Sequence, residues 1–123
     1  MFGCPDGLWV DGRGVLWIQT DMSTSSMGKG DLARLGHNAM LAADPVSGEV
    51  RRFLTGPAGC EITGVTATPD GRTMFVNIQH PGESPSERSD PDDPSRISMW
   101  PFGGRPRSAT VVIRRRDGGV VGT

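Results

Sequence analysis

Two stretches of this chain carry the same strand-turn-strand pattern around an Asp-Gly-Arg tripeptide. Asp11-Gly12-Arg13 lies between the apolar runs 8–10 and 15–18, and Asp70-Gly71-Arg72 precedes the run 74–76. An Asp-Gly pair beside aromatic and β-branched residues is a strong hairpin signal. The two turns lie just under sixty residues apart, near the length of a large four-stranded propeller blade with one long loop. The pattern therefore predicts antiparallel β structure with an internal repeat.

The other apolar runs extend this prediction of an all-β fold. A Pro-x-x-Gly turn at 45–48 suits two antiparallel strands on either side of it. In chain order, the remaining predicted segments are a long loop at 22–36 with a helical turn at 31–35, strands at 39–43 and 49–54, a short strand or core cover at 97–102, and a strand at 108–115. We expect antiparallel four-stranded sheets that form about two blades of a β-propeller.

We assign residues 1–123 to a single β domain. Its first blade-like unit covers about 4–55, its second covers 60–115, and an acidic Pro/Ser loop covers 81–96. That loop has too few apolar residues to order itself by burial. If both hairpins are blade-like, one set of aromatic and aliphatic residues dominates the core. The set is Trp9, Val15, Trp17, Phe75, Val76 and Val111–Ile113.

Composition limits the partners of the chain. The net charge is −1 and no basic stripe alternates with aromatic residues, which argues against nucleic acid as the main partner. No apolar run approaches the roughly 20 residues of a membrane span. The first ten residues, MFGCPDGLWV, lack the features of a secretion signal and enter a strand motif almost at once. We therefore expect a piece of a longer chain.

The two cysteines, Cys4 and Cys60, leave three interpretations open: a disulfide, metal ligands, or small buried side chains. Without a second closely spaced pair they do not make a zinc site. Cys60 and Glu61 are adjacent at the predicted start of a strand, where neighbouring side chains point to opposite faces. We expect Cys60 to be in the core and Glu61 to be accessible.

Carboxylates fall at predicted strand ends, where a β scaffold builds sites. Glu61, Asp6 and Asp21 have this position, and converging oxygen ligands suit a hard cation such as calcium. The acids that we assign to turns instead are Asp11, Asp44, Glu49, Asp70 and Asp117. Lone histidines such as His80 and His37 are more often structural than ligands. No nucleophile elbow or phosphate-binding loop is present.

Three long segments resemble a known family. They are CPDGLWVDGRGVLWIQTD (4–21), GHNAMLAADPVSGEVRRFLTGPAGCEITG (36–64) and TPDGRTMFVNIQHPGE (68–83). Together they strongly resemble the C-terminal part of the PhoX-type alkaline phosphatases, bacterial β-propeller enzymes, and the resemblance runs from Cys4 to about Ile113. It implies hydrolysis of phosphate monoesters, dependence on calcium and iron, and a periplasmic or extracellular location.

The resemblance also assigns roles to residues. It implies that Glu61 is a metal ligand, with Asp6 and Asp21 as further candidates. Asn38 and His80 are candidates for contacts with the phosphate ester substrate. The Asn-Cys-Ala-Gly-Gly and Cys-Glu-Glu motifs of the family, which look like the source of an iron-binding cysteine and another acidic ligand, are absent. We therefore expect the chain to be inactive as a phosphatase on its own.

Two other functions remain open at this point. A non-enzymatic β module could act by oligomerising or by binding a protein, since two blades leave open sheet edges that favour a homodimer. A fragment of a six-bladed propeller lactonase would also hold calcium with acidic loop residues. The length of the matching motifs favours the phosphatase over the lactonase.

Overall fold

The computed structural model describes residues 2–84 and 90–123. Its elements are β1 (Pro5–Val10), β2 (Leu16–Thr20), a 3-10 helix (Gly30–Arg34), β3 (Ala39–Ala43), β4 (Val50–Thr55), β5 (Glu61–Ala67), β6 (Met74–Gln79) and β7 (Ala109–Ile113). The predicted all-β fold with antiparallel strands is confirmed. Residues 85–89 of the predicted acidic loop lie outside the described residues.

The two Asp-Gly-Arg turns have the same local bonding. Asp11 Oδ1 accepts a hydrogen bond from the backbone N–H of Arg13 at 2.9 Å. Asp70 Oδ1 accepts the equivalent bond from Arg72 at 3.1 Å. An aspartate that bonds to the backbone two residues later closes a turn without any ligand. The repeated tripeptide therefore makes the same turn twice, between β1 and β2 and between β5 and β6.

The strands form two antiparallel sheets. The first sheet has the order β1-β2-β3-β4, and the second sheet has the order β5-β6-β7. In the described part of the chain the second sheet has three strands, where the sequence predicted four. Six prolines lie between His80 and Ser108, and proline lacks the N–H that a central strand needs. No strand forms at 97–102, where Trp100 covers the core instead.

The main core lies between the two sheets. Trp17 and Met40 from the first sheet pack with Ile62, Val76 and Ile78 from the second. Trp17 is fully buried and meets the Phe53 ring edge to face, with ring centroids 4.9 Å apart. This burial of Trp17 and Val76 confirms two residues of the predicted core.

The other predicted core residues fall into two groups, according to the face of the strand on which each side chain lies. Trp9, Val15, Val111 and Ile113 pack at the margin of the main core. Phe75 is outside it, and Val112 is 55% exposed. The prediction was wrong for the last two residues. Phe75 and Val112 are paired across β6 and β7, and alternation along a strand turns both to the opposite face from Val76.

The end of the chain joins the sheets at the edge that carries the two Asp-Gly-Arg turns, which we call the far rim. Val121 is buried and its N–H donates to Gly71 O at 2.9 Å. Arg13 Nη2 donates to Val121 O at 2.9 Å. Residue 122 is a glycine in close contact with Trp17, since a Cβ there would lie 2.8 Å from the indole. The tail therefore fills the gap between the two hairpins.

The loop at 22–36 contains the predicted helical turn as the 3-10 helix. It lies beside the outer face of the first sheet, where Ile18, Leu41 and Ala43 form a second small cluster with Phe2 and Leu16. Across residues 2–84 and 90–123, no helix has the length and apolar character needed to span a bilayer.

Candidate functional site

The edge opposite the far rim, which we call the near rim, collects most of the predicted site residues. Asp6 is on β1 near its start, and Asp21 follows β2. Glu61 begins β5, and His80 follows β6. Because neighbouring strands are antiparallel, the start of one strand and the end of the next meet at the same edge. The near rim therefore brings residues that are far apart in sequence to one place.

Glu61 is at the centre of this group. Its side chain is 12% exposed. Burial raises the pKa of the Glu61 carboxyl, and the negative charges of Asp21 and, to a smaller extent, Asp6 raise it further. A hydrogen bond and the charge of His80 offset part of this rise. The three acids are therefore close enough to repel one another, and a cation at this place would relieve the repulsion.

His80 connects Glu61 to a second carboxylate. His80 Nε2 lies 3.4 Å from Glu61 Oε2. On the other side of the ring, Nδ1 lies 3.3 Å from Glu83 Oε2. That second approach is an ion-pair distance without hydrogen-bond geometry, since the buried Nδ1 atom makes no hydrogen bond. Glu61, His80 and Glu83 thus form a row of three ionisable side chains along the near rim.

The backbone at His80 holds the ring in this row. His80 has φ of 36°, one of two positive values among the described non-glycine residues. The other is Cys4, also at the near rim, with φ of 52°. Such conformations are costly and are found preferentially at functional sites. The His80 N–H donates to Ser108 Oγ at 2.9 Å, which fixes the turn after β6 against the residue before β7.

Asn38 joins the two sheets at the near rim. Its Oδ1 accepts bonds from Thr20 Oγ1 at 2.9 Å and from the Met22 N–H at 2.6 Å. Its Nδ2 donates to Met22 O at 3.0 Å and to Cys60 O at 2.9 Å. These four bonds use both donors and both acceptor positions of the buried amide. Because Cys60 precedes Glu61, Asn38 positions the start of β5, and its contacts are structural.

Cys60 is in the core, as the sequence predicted. It is 1% exposed, and burial raises the pKa of its thiol to about 12. A metal ligand would have to be the thiolate, which this environment disfavours. Gly56 is tightly packed against the sulfur, since a Cβ there would collide with it. Cys4 is exposed, and neither cysteine is in a disulfide.

Other sequence candidates have different surroundings. The side-chain oxygen of Asn77 accepts a hydrogen bond from Thr110 Oγ1 at 2.7 Å, on the strand face that points away from the core. His37 is exposed, with Nδ1 3.1 Å from Met27 Sδ. Of the five acids assigned to turns, Glu49 bonds to the Arg51 side chain, and the other four bond to the backbone of their own turns. They are Asp11, Asp44, Asp70 and Asp117.

Glu83 is the residue of the row that sequence reasoning missed. Its position in a segment rich in Pro, Ser and acids indicated a solvated loop. The signal that could have identified it is His80-Pro81-Gly82-Glu83, because a Pro-Gly turn brings the first and fourth residues together. Two backbone bonds fix this turn beside β5, from Gly82 N to Ala58 O at 2.8 Å and from Glu83 N to Gly59 O at 3.3 Å.

The near rim offers oxygen donors of the type that calcium takes. Within residues 2–84 and 90–123, however, no three His, Cys, Asp or Glu side chains gather closely enough to hold a metal ion. The donors fit a hard cation in kind but not in number. The described residues therefore supply part of a cation site and not a complete one.

Comparisons with known proteins agree on one family. The family model described as alkaline phosphatase PhoX matches residues 1–82. Among solved structures, the chain is similar to Pseudomonas fluorescens PhoX in complex with vanadate, a transition state analogue, with 48% sequence identity and a TM-score of 0.82. That alignment covers 99% of this chain and 19% of that chain. A comparison with curated proteins gave no match.

Proposed function

The chain belongs to the alkaline phosphatase PhoX family, and on that premise we propose that it forms part of the active site of a metal-dependent phosphatase. The proposed role of Glu61 is to bind a divalent cation, with Asp21 and Asp6 as neighbouring ligands. The reaction is hydrolysis of a phosphate monoester. The observation that carries this proposal is the convergence of three acids at the near rim, where the half-buried Glu61 lies near the exposed Asp21 and Asp6. Burial, and after it the charges of these two aspartates, raise the pKa of Glu61.

The charge of the near rim explains why a cation is required. Asp6, Asp21 and Glu61 are acidic, and within residues 2–84 and 90–123 no arginine or lysine forms a salt bridge with any of these three. A phosphate group brought to this surface alone would be repelled. A bound divalent cation would neutralise the phosphate oxygens and hold the attacking oxygen. We propose calcium as this cation, because the donors are carboxylates.

The residues of the chain position one another for this role. His80 holds the Glu61 carboxylate by its Nε2 atom and lies between it and Glu83. Asn38 fixes the backbone just before Glu61 through Cys60 O. The resemblance also implies iron in the family, but Cys60 is unsuited to bind it because its thiol is buried and protonated. Any soft ligand for iron is therefore expected from a residue other than Cys60.

We also propose that the chain alone does not hydrolyse phosphate esters. The solved relative is aligned over only 19% of its length, and the described residues form no complete metal site. The family resemblance further predicts a periplasmic or extracellular location. An assay of the purified chain with phenyl phosphate and added calcium tests the first point, and turnover well above the buffer rate would contradict it.

Calcium titration by calorimetry tests the role of Glu61. We expect weak, saturable binding with a dissociation constant in the range of about 10⁻⁴–10⁻³ M, because the ligand set is incomplete. The Glu61→Gln variant should lose this binding. Glu49→Gln is the matched control, since Glu49 is an exposed acid paired with Arg51 in the β3–β4 turn. Absence of binding, or equal loss in both variants, would overturn the assignment.

A second candidate function is a β module that acts by forming a homodimer. The observation that favours it is that β1 and β7 are edge strands that expose Leu8, Val10 and Val112. Exposed, apolar edge strands pair readily with another chain. Sedimentation analysis distinguishes the two functions, because a stable dimer that binds no calcium would favour the module.

A further inference from the structure

A second recess lies beside the row of Glu61, His80 and Glu83. This side cavity has a volume of about 300 Å³ and is lined by residues that include Met27, His37, Ala58, Glu83 and Ile97. It lies between the loop at 22–36 and the turns at 58–59 and 82–83. A volume of this size matches the lower end of small-molecule sites, enough for an aromatic ring with a short substituent.

Glu83 connects the side cavity to the proposed metal ligand Glu61 through His80. One side of the Glu83 carboxylate faces His80, at 3.3 Å, and His80 in turn reaches Glu61 at 3.4 Å. Glu83 also lines the side cavity. A group held at Glu61 is therefore separated from the side cavity by two side chains. A phosphate ester bound there would have this cavity next to it for the alcohol part of the molecule.

The lining decides which alcohols fit. Met27, Ala58 and Ile97 present apolar surface, and none of the described residues that line the cavity is an arginine or a lysine. Two polar side chains in its wall already have partners: Thr24 Oγ1 donates to Ser84 O at 3.3 Å, and His37 Nδ1 lies 3.1 Å from Met27 Sδ. A polyol would lose hydrogen bonds to water without regaining them.

The wall that carries Glu83 is held in place by its backbone. Gly59 has φ of 68°, and a Cβ at this residue would lie 2.6 Å from Glu83 O. Only glycine allows the two segments to approach this closely. The bond from Glu83 N to Gly59 O then fixes the distance between them at 3.3 Å. The cavity wall is therefore formed before any ligand enters.

We propose that the side cavity binds the alcohol part of the phosphate ester and favours uncharged aromatic or apolar alcohols over polyols. This inference rests on the proposed function for its biological meaning, but the binding itself does not require catalysis. Met27 and Ile97 are its apolar contacts.

The test is a titration of the full chain, carrying ¹³C-labelled Met and Ile methyl groups, with benzyl alcohol and separately with glycerol. Met27 and Ile97 report on the side cavity, whereas Met74 lines a different cleft at the far rim. We expect saturable shifts at Met27 and Ile97 with benzyl alcohol and none with glycerol. No saturable shift at these two methyl groups, a shift confined to Met74, or an equal response to glycerol would overturn the proposal.

A pair of variants strengthens the test. Met27→Gln should raise the dissociation constant of benzyl alcohol, read at Ile97, about fourfold or more, the effect of losing one buried methylene. Met99→Gln changes a methionine that is 61% exposed and outside the cavity, and should leave the constant unchanged. Equal affinities in both variants would contradict the role of Met27. If Met27→Gln fails to fold, the comparison of benzyl alcohol with glycerol on the unmodified chain still tests whether the side cavity prefers an apolar alcohol.

Failure of this inference is distinguishable from failure of the proposed function. Calcium binding lost in Glu61→Gln, together with no benzyl alcohol binding, would leave the metal site intact and remove the alcohol subsite. Benzyl alcohol binding at Ile97 without any calcium binding would support the cavity and remove the metal site.

Discussion

Replacing Asn38 by alanine should destabilise this fold far more than replacing Asn77, the other asparagine of the chain. Asn38 is 1% exposed and makes four hydrogen bonds that join the first sheet to the start of β5. Asn77 is half-buried, and its side-chain oxygen accepts one bond, from the exposed Thr110 hydroxyl. The two substitutions remove the same atoms, so the comparison isolates the effect of the bonds and of burial.

The magnitude follows from the groups that lose their partner. Removing the Asn38 amide deprives the Met22 N–H, the Met22 carbonyl and the Cys60 carbonyl of a bond, in a place where both residues are buried. Thr20 Oγ1 keeps the bond that it accepts from Ala39 N at 2.9 Å. An unsatisfied buried group costs about 1–3 kcal/mol. With three such groups near a water-accessible rim, Asn38→Ala should lower the free energy of unfolding by about 3 kcal/mol or more. For Asn77→Ala the expected loss is about 1 kcal/mol or less.

Urea unfolding followed by tryptophan fluorescence measures both variants against the unmodified chain. The expected result is a large fall in the midpoint for Asn38→Ala with a similar denaturant slope. The same variant should also weaken calcium binding at Glu61, because Asn38 positions the preceding carbonyl. If Asn38→Ala lowers the free energy of unfolding by less than about 0.5 kcal/mol, or if the two variants lose equal amounts, the idea that this amide joins the sheets is refuted.

Three further substitutions or treatments test other parts of the structure. Trp17→Ala removes a fully buried side chain and should cost about 3–5 kcal/mol in the same urea assay, whereas a cost below about 0.5 kcal/mol would contradict its burial. At pH 9 a thiol reagent should modify Cys4 alone in the folded chain, because burial raises the pKa of Cys60 to about 12, and rapid modification of both would disprove this protection. Because the pKa of folded Glu61 is raised above its ordinary value of 4.5, the unfolded chain releases this proton first, so stability falls as pH rises from 4.5 through the raised pKa. Glu61→Gln should flatten that part of the stability-pH curve measured without metal, and an unchanged slope would show that Glu61 is not the group responsible.

The sequence predicted a strand best where an apolar run and a neighbouring turn motif both indicate the same strand. Ala39–Ala43 is an apolar run beside a Pro-x-x-Gly turn, and β3 has these bounds. The secondary structure of the segment between His80 and Ser108 was harder to predict. Its apolar residues at 97–102 resemble a strand, but the prolines around them prevent pairing with a neighbouring strand. The face assigned to Phe75 and Val112 was wrong because both residues lie in apolar runs. In such a run the sequence does not show which side chains point to the core and which point away from it.

The sequence could single out the acids of the near rim as candidates, but it could not show which residues connect them. Glu61 was a candidate because it is a carboxylate at the start of a strand, and its role as a metal ligand, like the roles of Asp21 and Asp6, stays a prediction. The contacts of His80 depend on a left-handed backbone conformation that a histidine rarely adopts. The role of Asn38 depends on a carbonyl 22 residues away, at Cys60, which no local pattern reveals.

The two sheets are tied together at opposite edges, by Asn38 at the near rim and by Arg13 and Val121 at the far rim. A hinge needs one edge to stay closed while the other opens, and here opening either edge breaks bonds to buried groups. Slow hydrogen exchange at both edges would then arise from the same global event, not from separate local openings. Under this arrangement the packing of the whole core sets the distance between Asp21 on one sheet and Glu61 on the other. Local opening of one edge therefore cannot change the electrostatic repulsion between these two acids.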